Sequence, residues 1–392
     1  MKLQASWNYP TSITVGDGCV AQLGEMCKQL NMTKVLLVTD PGLADLDMIK
    51  NAVKSCSEAD LYCEVFSKVQ GNPTGANVRL GVDACNKGDF DGVIAFGGGS
   101  SMDAAKAIAL MAKQTISIWE AEDIGDNWTR VQADKMLPVV AVPTTAGTGS
   151  EVGRSSVITD SDGELHVKRI IFHPGMMPAQ VLLDPQLTIN LPAHITAATG
   201  LDALSHNLEA YCAPFYHPMA EGIAIEAIRL IKHNLPLAVK DGKDIEARTQ
   251  MLVASSMGAT SFQRGLGAMH ALAHSLGALY NKHHGLLNAI LMPYVLQRNK
   301  QEIETRIIRL ARYLELDNPS FEGFLAWILQ LRKELSIPHS LSEIGIPLDD
   351  LELVGKMAVA DLTAGSNPIQ LTADQYSQLF ALAVQGRLEQ VT

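Results

Sequence analysis

No apolar run in the 392 residues approaches the roughly 20 positions that a membrane-spanning helix needs, and the opening MKLQASWNYPTSITVGDG has no apolar segment after a basic start. Membrane and secretory proteins are thereby excluded as expectations, and the cytoplasm is the expected location. Cysteine is sparse: the six thiols form no CxxC pair and no regular framework, so they read as reduced cysteines and not as staples or a zinc motif. Basic residues are also in deficit. Lys+Arg number 31 against 42 Asp+Glu, and the formal net charge of −11 argues against general binding of nucleic acid. The chain has no convincing internal repeat, no low-complexity tract and no GxGxxG turn, so an ordinary Rossmann dehydrogenase fits poorly.

With 47% apolar residues over this length, the chain can bury more than one core, since single cores rarely grow beyond about 250–300 residues. Through about residue 186, apolar β-branched runs alternate with helical ones: KVLLVTD at 34–40, LYCEVFSKV at 61–69, GVIAFGGGS at 92–100, LPVVAVPTT at 137–145 and AQVLLD at 179–184. Such alternation predicts an α/β domain with a parallel sheet over residues 1–186. Beyond DPQLTINLP the pattern turns to Ala, Leu, Met and Ile at helical spacing, as in 195–211, 219–234, 246–261 and 266–280. Residues 187–392 therefore read as an all-helical domain, with Pro192, Pro214 and Pro236 at helix starts or breaks. The stretch WEAEDIGDNW at 119–128 reads as an acidic surface loop.

Two motifs carry chemistry. GVIAF at 92–96 runs into Gly97, Gly98, Gly99 and Ser100 and then a helix-favouring segment, an order that suits phosphate binding: glycines admit an anion close to the backbone, and the helix N-terminus supplies N–H groups and positive potential. The second motif pairs Asp202 with His206 and His270 with His274, with His284 ten residues later. Residues four apart share a helix face, so each pair can aim two donors at one point. On spacing alone Asp202, His206, His270 and His284 are as readily core residues as metal ligands. Met102, Met111, Met257 and Met269 read as core fillers.

GGGSSMDAAKAIA, PTTAGTGSEV at 143–152, LPAHITAATGLDALSHNLEAY at 191–211 and GLGAMHALAHSLGALYNKHHGLLNAIL at 265–291 together resemble the iron-containing, or group III, alcohol dehydrogenases over nearly the whole chain. The resemblance implies a dinucleotide-binding α/β domain, an all-helical metal-binding domain in a dehydroquinate synthase-like architecture, and a cleft between them. It implies Asp202, His206, His270 and His284 as ligands of a divalent metal, with Fe(II) favoured and Zn(II) an alternative, and it makes His274 a further active-site residue, here the candidate proton relay, with orientation of the substrate as its alternative role. For the cofactor it implies Gly97, Gly98, Gly99 and Ser100 at the pyrophosphate, Thr144, Thr145 and Thr148 in a second contacting segment, and Asn72 and Lys168 as further contacts. Asp40, closing KVLLVTD, would meet the adenosine ribose and repel a 2′-phosphate, favouring NAD over NADP. Asp103 matches the family's loop pattern but serves equally well as a stabiliser of the first helical turn.

The implied reaction is hydride transfer between a small alcohol or aldehyde and NAD, with the substrate oxygen polarised by the ion, in an enzyme expected to be a homo-oligomer, for instance a dimer. Departures from the family limit the transfer: Gln263 and Arg264 replace small polar residues, and Ser275 stands where proline is common. A cationic Arg264 near the metal would suit a substrate carboxylate or phosphonate, which raises hydroxyacid dehydrogenase or transhydrogenase activity as an alternative, but a salt bridge at the domain surface is the more expected role for this residue. A lyase or cyclase of the dehydroquinate-synthase type, recycling NAD within a turnover, is a second alternative. A hydrolase using metal-bound hydroxide ranks last, because it leaves the glycine cradle without a purpose.

Overall fold

Segments apolar at every position, such as VLLV at 35–38 and VVAVP at 139–143, can be buried only where both faces of a strand are covered, and they form the centre of a parallel sheet. The computed structural model describes residue 9 and residues 11–161 and 167–391. Those residues divide into two units, one ending at Asn190 and the other starting at Leu191.

The first unit runs β1 (Ser12–Val15), α1 (Leu23–Gln29), β2 (Lys34–Val38), α2 (Asp47–Glu58), β3 (Tyr62–Phe66), α3 (Gly75–Gly88), β4 (Gly92–Gly97), α4 (Gly99–Met111), β5 (Val139–Pro143), β6 (Ser155–Asp160), β7 (Val167–Phe172) and β8 (Gln180–Leu183). Six strands pair in parallel in the order β1-β8-β5-β4-β2-β3, and β6 pairs with β7 as a separate antiparallel ribbon. The chain steps outward from β2 to β3 on one side and from β4 to β5 and β8 on the other. The carboxyl ends of β2 and β4 therefore flank the point where strand order reverses, the usual place for a ligand in an open α/β sheet. All five expected strands are present. The sequence reading missed β1, a four-residue edge strand with no buried residue, and the β6–β7 ribbon, where polar residues interrupt the apolar pattern.

The second unit contains α5 (Ala193–Cys212), α6 (Pro218–Lys240), α7 (Ile245–Ser261), α8 (Ala268–Tyr280), α9 (His284–Tyr313), α10 (Phe321–Glu334), α11 (Leu351–Ala360) and α12 (Ala373–Gln385), with no strand among its described residues. Small residues along α5 let α6, α7 and α9 pack against it, and nearly all of α5 is buried. At Gly285 this approach is so close that a Cβ would lie 2.4 Å from the Ala198 carbonyl oxygen. Pro192 caps α5 and Pro214 follows its end, but Pro236 lies inside α6. It leaves the carbonyl of residue 232 without its N–H donor, and the helix runs on for four more residues, to Lys240. Among the described residues, no helix is long and apolar enough to cross a membrane.

Candidate functional site

Asp202 and His206 stand one turn apart on α5, His270 in the first turn of α8, and His284 at the first position of α9. One ligand atom from each lies within 4.8 Å of every other. Asp202, His206 and His270 are buried and His284 half-buried; the His206 and His270 rings stack at 4.7 Å, and His284 Nε2 lies 3.6 Å from Asp202 Oδ1. Bringing a carboxylate and three imidazoles out of water onto one point is costly unless a cation rewards it, so the donor set fits a divalent metal.

A layer of partners holds these donors. Glu209, one turn beyond His206 on the same helix, accepts from His270 Nδ1 at 2.6 Å and from the backbone N–H groups of Gly267 and Met269 at 2.8 Å each. A carboxylate on Nδ1 requires the proton there, which leaves the Nε2 lone pair for the cluster. Burial opposes a charge on His270, but Glu209, with Asp202 and Asp361, outweighs it and raises the imidazole's pKa. Asn288, one turn beyond His284, donates from Nδ2 to Asp202 Oδ1 at 2.8 Å.

His274 does not join the four-residue cluster but stacks on His284 at 5.2 Å. Its Nδ1 meets Asp361 Oδ2 at 2.9 Å, fixing the tautomer with Nε2 available for a proton. Burial raises the Asp361 pKa, but His274 and Thr363 outweigh that and hold the carboxyl below the usual carboxylate range.

In the first unit, β4 ends at Gly97 and α4 begins at Gly99, with no side chain capping its first N–H groups. Gly97 has φ of 145°, a conformation side-chain-bearing residues rarely adopt. Gly98 and Gly99 face Thr145 and Thr148, and Thr144 N–H donates to the Gly97 carbonyl at 3.0 Å, so the two expected segments form one cradle. Ser100 Oγ accepts from the Asn72 N–H at 3.3 Å. Lys168 on β7 pairs with Thr159, whose N–H donates to the Pro73 carbonyl at 2.8 Å, one residue from Asn72. Asp40 follows β2 at the strand-order reversal, where it accepts from the N–H groups of Gly42 and Leu43 and meets Ser101 Oγ at 3.4 Å. Asp103 is committed elsewhere: its oxygens accept from Ser150 Oγ at 2.5 Å and Val157 N–H at 2.9 Å, which fastens α4 to β6 and to the segment before it.

Of the two readings of Arg264, the structure shows the ion pair, although a buried one and not one at the surface. The residue is 1% exposed, and its guanidinium donates to the carbonyls of Ala210, Tyr211 and Phe215 and pairs with Glu221 at 2.6 Å. Burial lowers its pKa to about 10, so it stays charged and bound to its own scaffold. The sequence reading also missed Glu209, Asn288 and Asp361. The first two lie one turn from expected ligands on the same helices, a spacing that could have flagged them; Asp361 gives no local signal.

Residues 10–185 match the family profile described as iron-containing alcohol dehydrogenase, and residues 196–384 match the profile of the Fe-containing alcohol dehydrogenase C-terminal family. The chain is 36% identical over 363 residues to alcohol dehydrogenase 4 of Saccharomyces cerevisiae, covering 92% of this chain and 93% of that protein. It is 34% identical over 385 residues to the NAD-dependent methanol dehydrogenase of Bacillus methanolicus, covering 96% and 98%. The crystal structure of a 1,3-propanediol oxidoreductase superposes with a TM-score of 0.91 at 33% identity, covering 97% of this chain and all of that one.

Proposed function

Because the chain belongs to the iron-containing alcohol dehydrogenase family, and is therefore an oxidoreductase acting on alcohol groups, we propose that it exchanges hydride between a small alcohol or aldehyde and NAD at a metal centre held by Asp202, His206, His270 and His284. The observation that carries this reading is the convergence of those four donors within 4.8 Å. A divalent ion there, Fe(II) in keeping with the family name and Zn(II) as a second candidate, supplies Lewis-acid chemistry that acidifies an alcohol hydroxyl or polarises a carbonyl.

The chain's own residues do the rest. Glu209 fixes His270 with Nε2 toward the ligand point. His274 Nε2 takes the proton released by an alcohol, or returns it to an aldehyde, while Asp361 holds Nδ1. Gly97, Gly98, Gly99 and Ser100 bind the cofactor's pyrophosphate at the uncapped start of α4, beside Thr144, Thr145 and Thr148, while Asn72 and Lys168 line the same region. Asp103 ties α4 to Ser150 and to β6 through its two oxygens. Asp40 sets the preference for NAD, since its carboxylate disfavours a 2′-phosphate. NAD is also the cofactor in the name of the methanol dehydrogenase relative. We place the enzyme in the cytoplasm, where its cysteines, all free among the described residues, stay reduced, and expect a homo-oligomer measurable by light scattering.

The test is to strip the protein of metal, reload it with Fe(II) or Zn(II), and follow NADH absorbance against a panel of alcohols and aldehydes. Metal-dependent turnover with one NADH formed or consumed per product is expected. Product without net change in NADH would replace this reading with a lyase or cyclase.

A further inference from the structure

Asp202 Oδ1 on α5, His270 Nε2 on α8 and His284 Nε2 on α9 lie 2.8, 3.2 and 3.1 Å from a single atom, the amide nitrogen of Asn288. This side chain is 0% exposed, and its Oδ1 has no hydrogen-bond partner among the described residues. A buried carbonyl oxygen normally finds a donor. Turning the amide over would set Oδ1 against the Asp202 carboxylate and the Nε2 lone pair that Glu209 leaves on His270, so the nitrogen dictates the orientation at the expense of the oxygen. That nitrogen has only two hydrogens for three neighbours. A residue present only to fill space would not need this arrangement.

The three contacts differ in what they allow. An imidazole nitrogen has one in-plane lone pair, so His270 and His284 can direct theirs at Asn288 or at a cation, but not both. A carboxylate oxygen has a lone pair to spare, so Asp202 can hold the amide and still face an ion. Its contact is also the shortest of the three. We propose that Asn288 is a positioning residue of the metal centre: it gathers three of the four donors around one point before an ion enters, releases the two imidazoles when it does, and keeps the Asp202 carboxylate aimed thereafter. This rests on the reading of those residues as metal ligands. It gives α9 two tasks one helical turn apart, ligation by His284 and alignment by Asn288.

The test uses the full chain, stripped with a chelator and titrated with Co(II), whose visible absorption reports coordination geometry. N288L keeps most of the side-chain volume and removes both N–H groups. The wild type should bind one Co(II) per chain, and N288L should bind it about 10- to 100-fold more weakly with a changed visible band, the loss typical of removing a partner that orients a ligand. Equal affinity and an unchanged spectrum in N288L would overturn the positioning role and leave the metal site standing. Absence of Co(II) binding by the wild type would overturn the metal site and this inference together. Circular dichroism checks that N288L folds; should it not, N288A is titrated with the same loss expected and the same result overturning the proposal.

Discussion

Glu209 accepts three hydrogen bonds with two buried oxygens, and every donor belongs to the start of α8 or to His270. Replacing one oxygen by an amide group in E209Q sets N–H against N–H at one of those positions. The expected outcome is a destabilisation of about 1–3 kcal/mol in urea unfolding and a loss of about 10- to 100-fold in metal affinity by chelator competition. Unchanged affinity would mean that Glu209 does not set His270. Arg264 predicts a contrasting phenotype. R264M leaves three carbonyls and part of Glu221 without their buried partner, although Arg306 still reaches Glu221 at 2.9 Å. It should cost about 3 kcal/mol of stability while leaving the ratio of kcat/KM for neutral and acidic aldehydes unchanged. A selective loss on acidic aldehydes would restore Arg264 as a substrate contact. The two residues show what the chain discloses at this scale. The convergence of Asp202 and His206 was legible because side chains four apart on a helix share one face. Arg264 left two readings open, recognition group or ion pair, because only the fold reveals Glu221 and the helix-end carbonyls that saturate it. Asp361 was invisible because its bond to His274 spans 87 positions and follows no spacing rule.

Helices and loops bring these side chains together, and the tolerances are narrow at two places. The start of α9 lies directly on α5, where Gly285 leaves room for the Ala198 carbonyl; an added Cβ would come within 2.4 Å of that oxygen and 3.0 Å of Asp202 Cβ. Neither neighbour is the far end of a flexible side chain, so the helices themselves must separate. In G285A, the first turn of α9 should shift with His284 attached, costing about 1–3 kcal/mol in thermal or urea unfolding and weakening metal binding while far-UV circular dichroism stays native. A variant with native metal affinity would show that His284 tolerates displacement and is not held to a fixed ligand position. The second place is the turn from β4 into α4, where the unusual φ of Gly97 and the packing of Thr148 on Gly99 shape the cradle. Here the glycine run and the preceding apolar strand were readable as a phosphate-binding order. The β6–β7 ribbon that carries Lys168 was not, because its alternation of polar and apolar residues is too short and mixed to stand out.

Over the whole chain, the two proposed chemical tasks fall on different units. The four candidate metal donors come from α5, α8 and α9 and span 82 positions from Asp202 to His284, whereas the candidate dinucleotide cradle is built from the ends of β2 and β4, the start of α4 and residues 144–148. An ion bound by all four donors cannot survive the opening of any one of those helices. It therefore stabilises them against local unfolding by an amount fixed by its affinity, about 2.7 kcal/mol at a free concentration 100 times the dissociation constant. NAD acts by the same rule on another set of elements. Hydrogen exchange read by mass spectrometry should consequently show Zn(II) slowing exchange most in peptides covering α5, α8 and the first turns of α9, and NAD slowing it most in peptides covering residues 36–43, 96–106 and 143–150. The order of addition should not change which peptides respond most to each ligand. Protection by Zn(II) centred on the first unit, or by NAD centred on α5 and α8, would reverse the assignment of tasks and remove the basis for placing the metal on the helices.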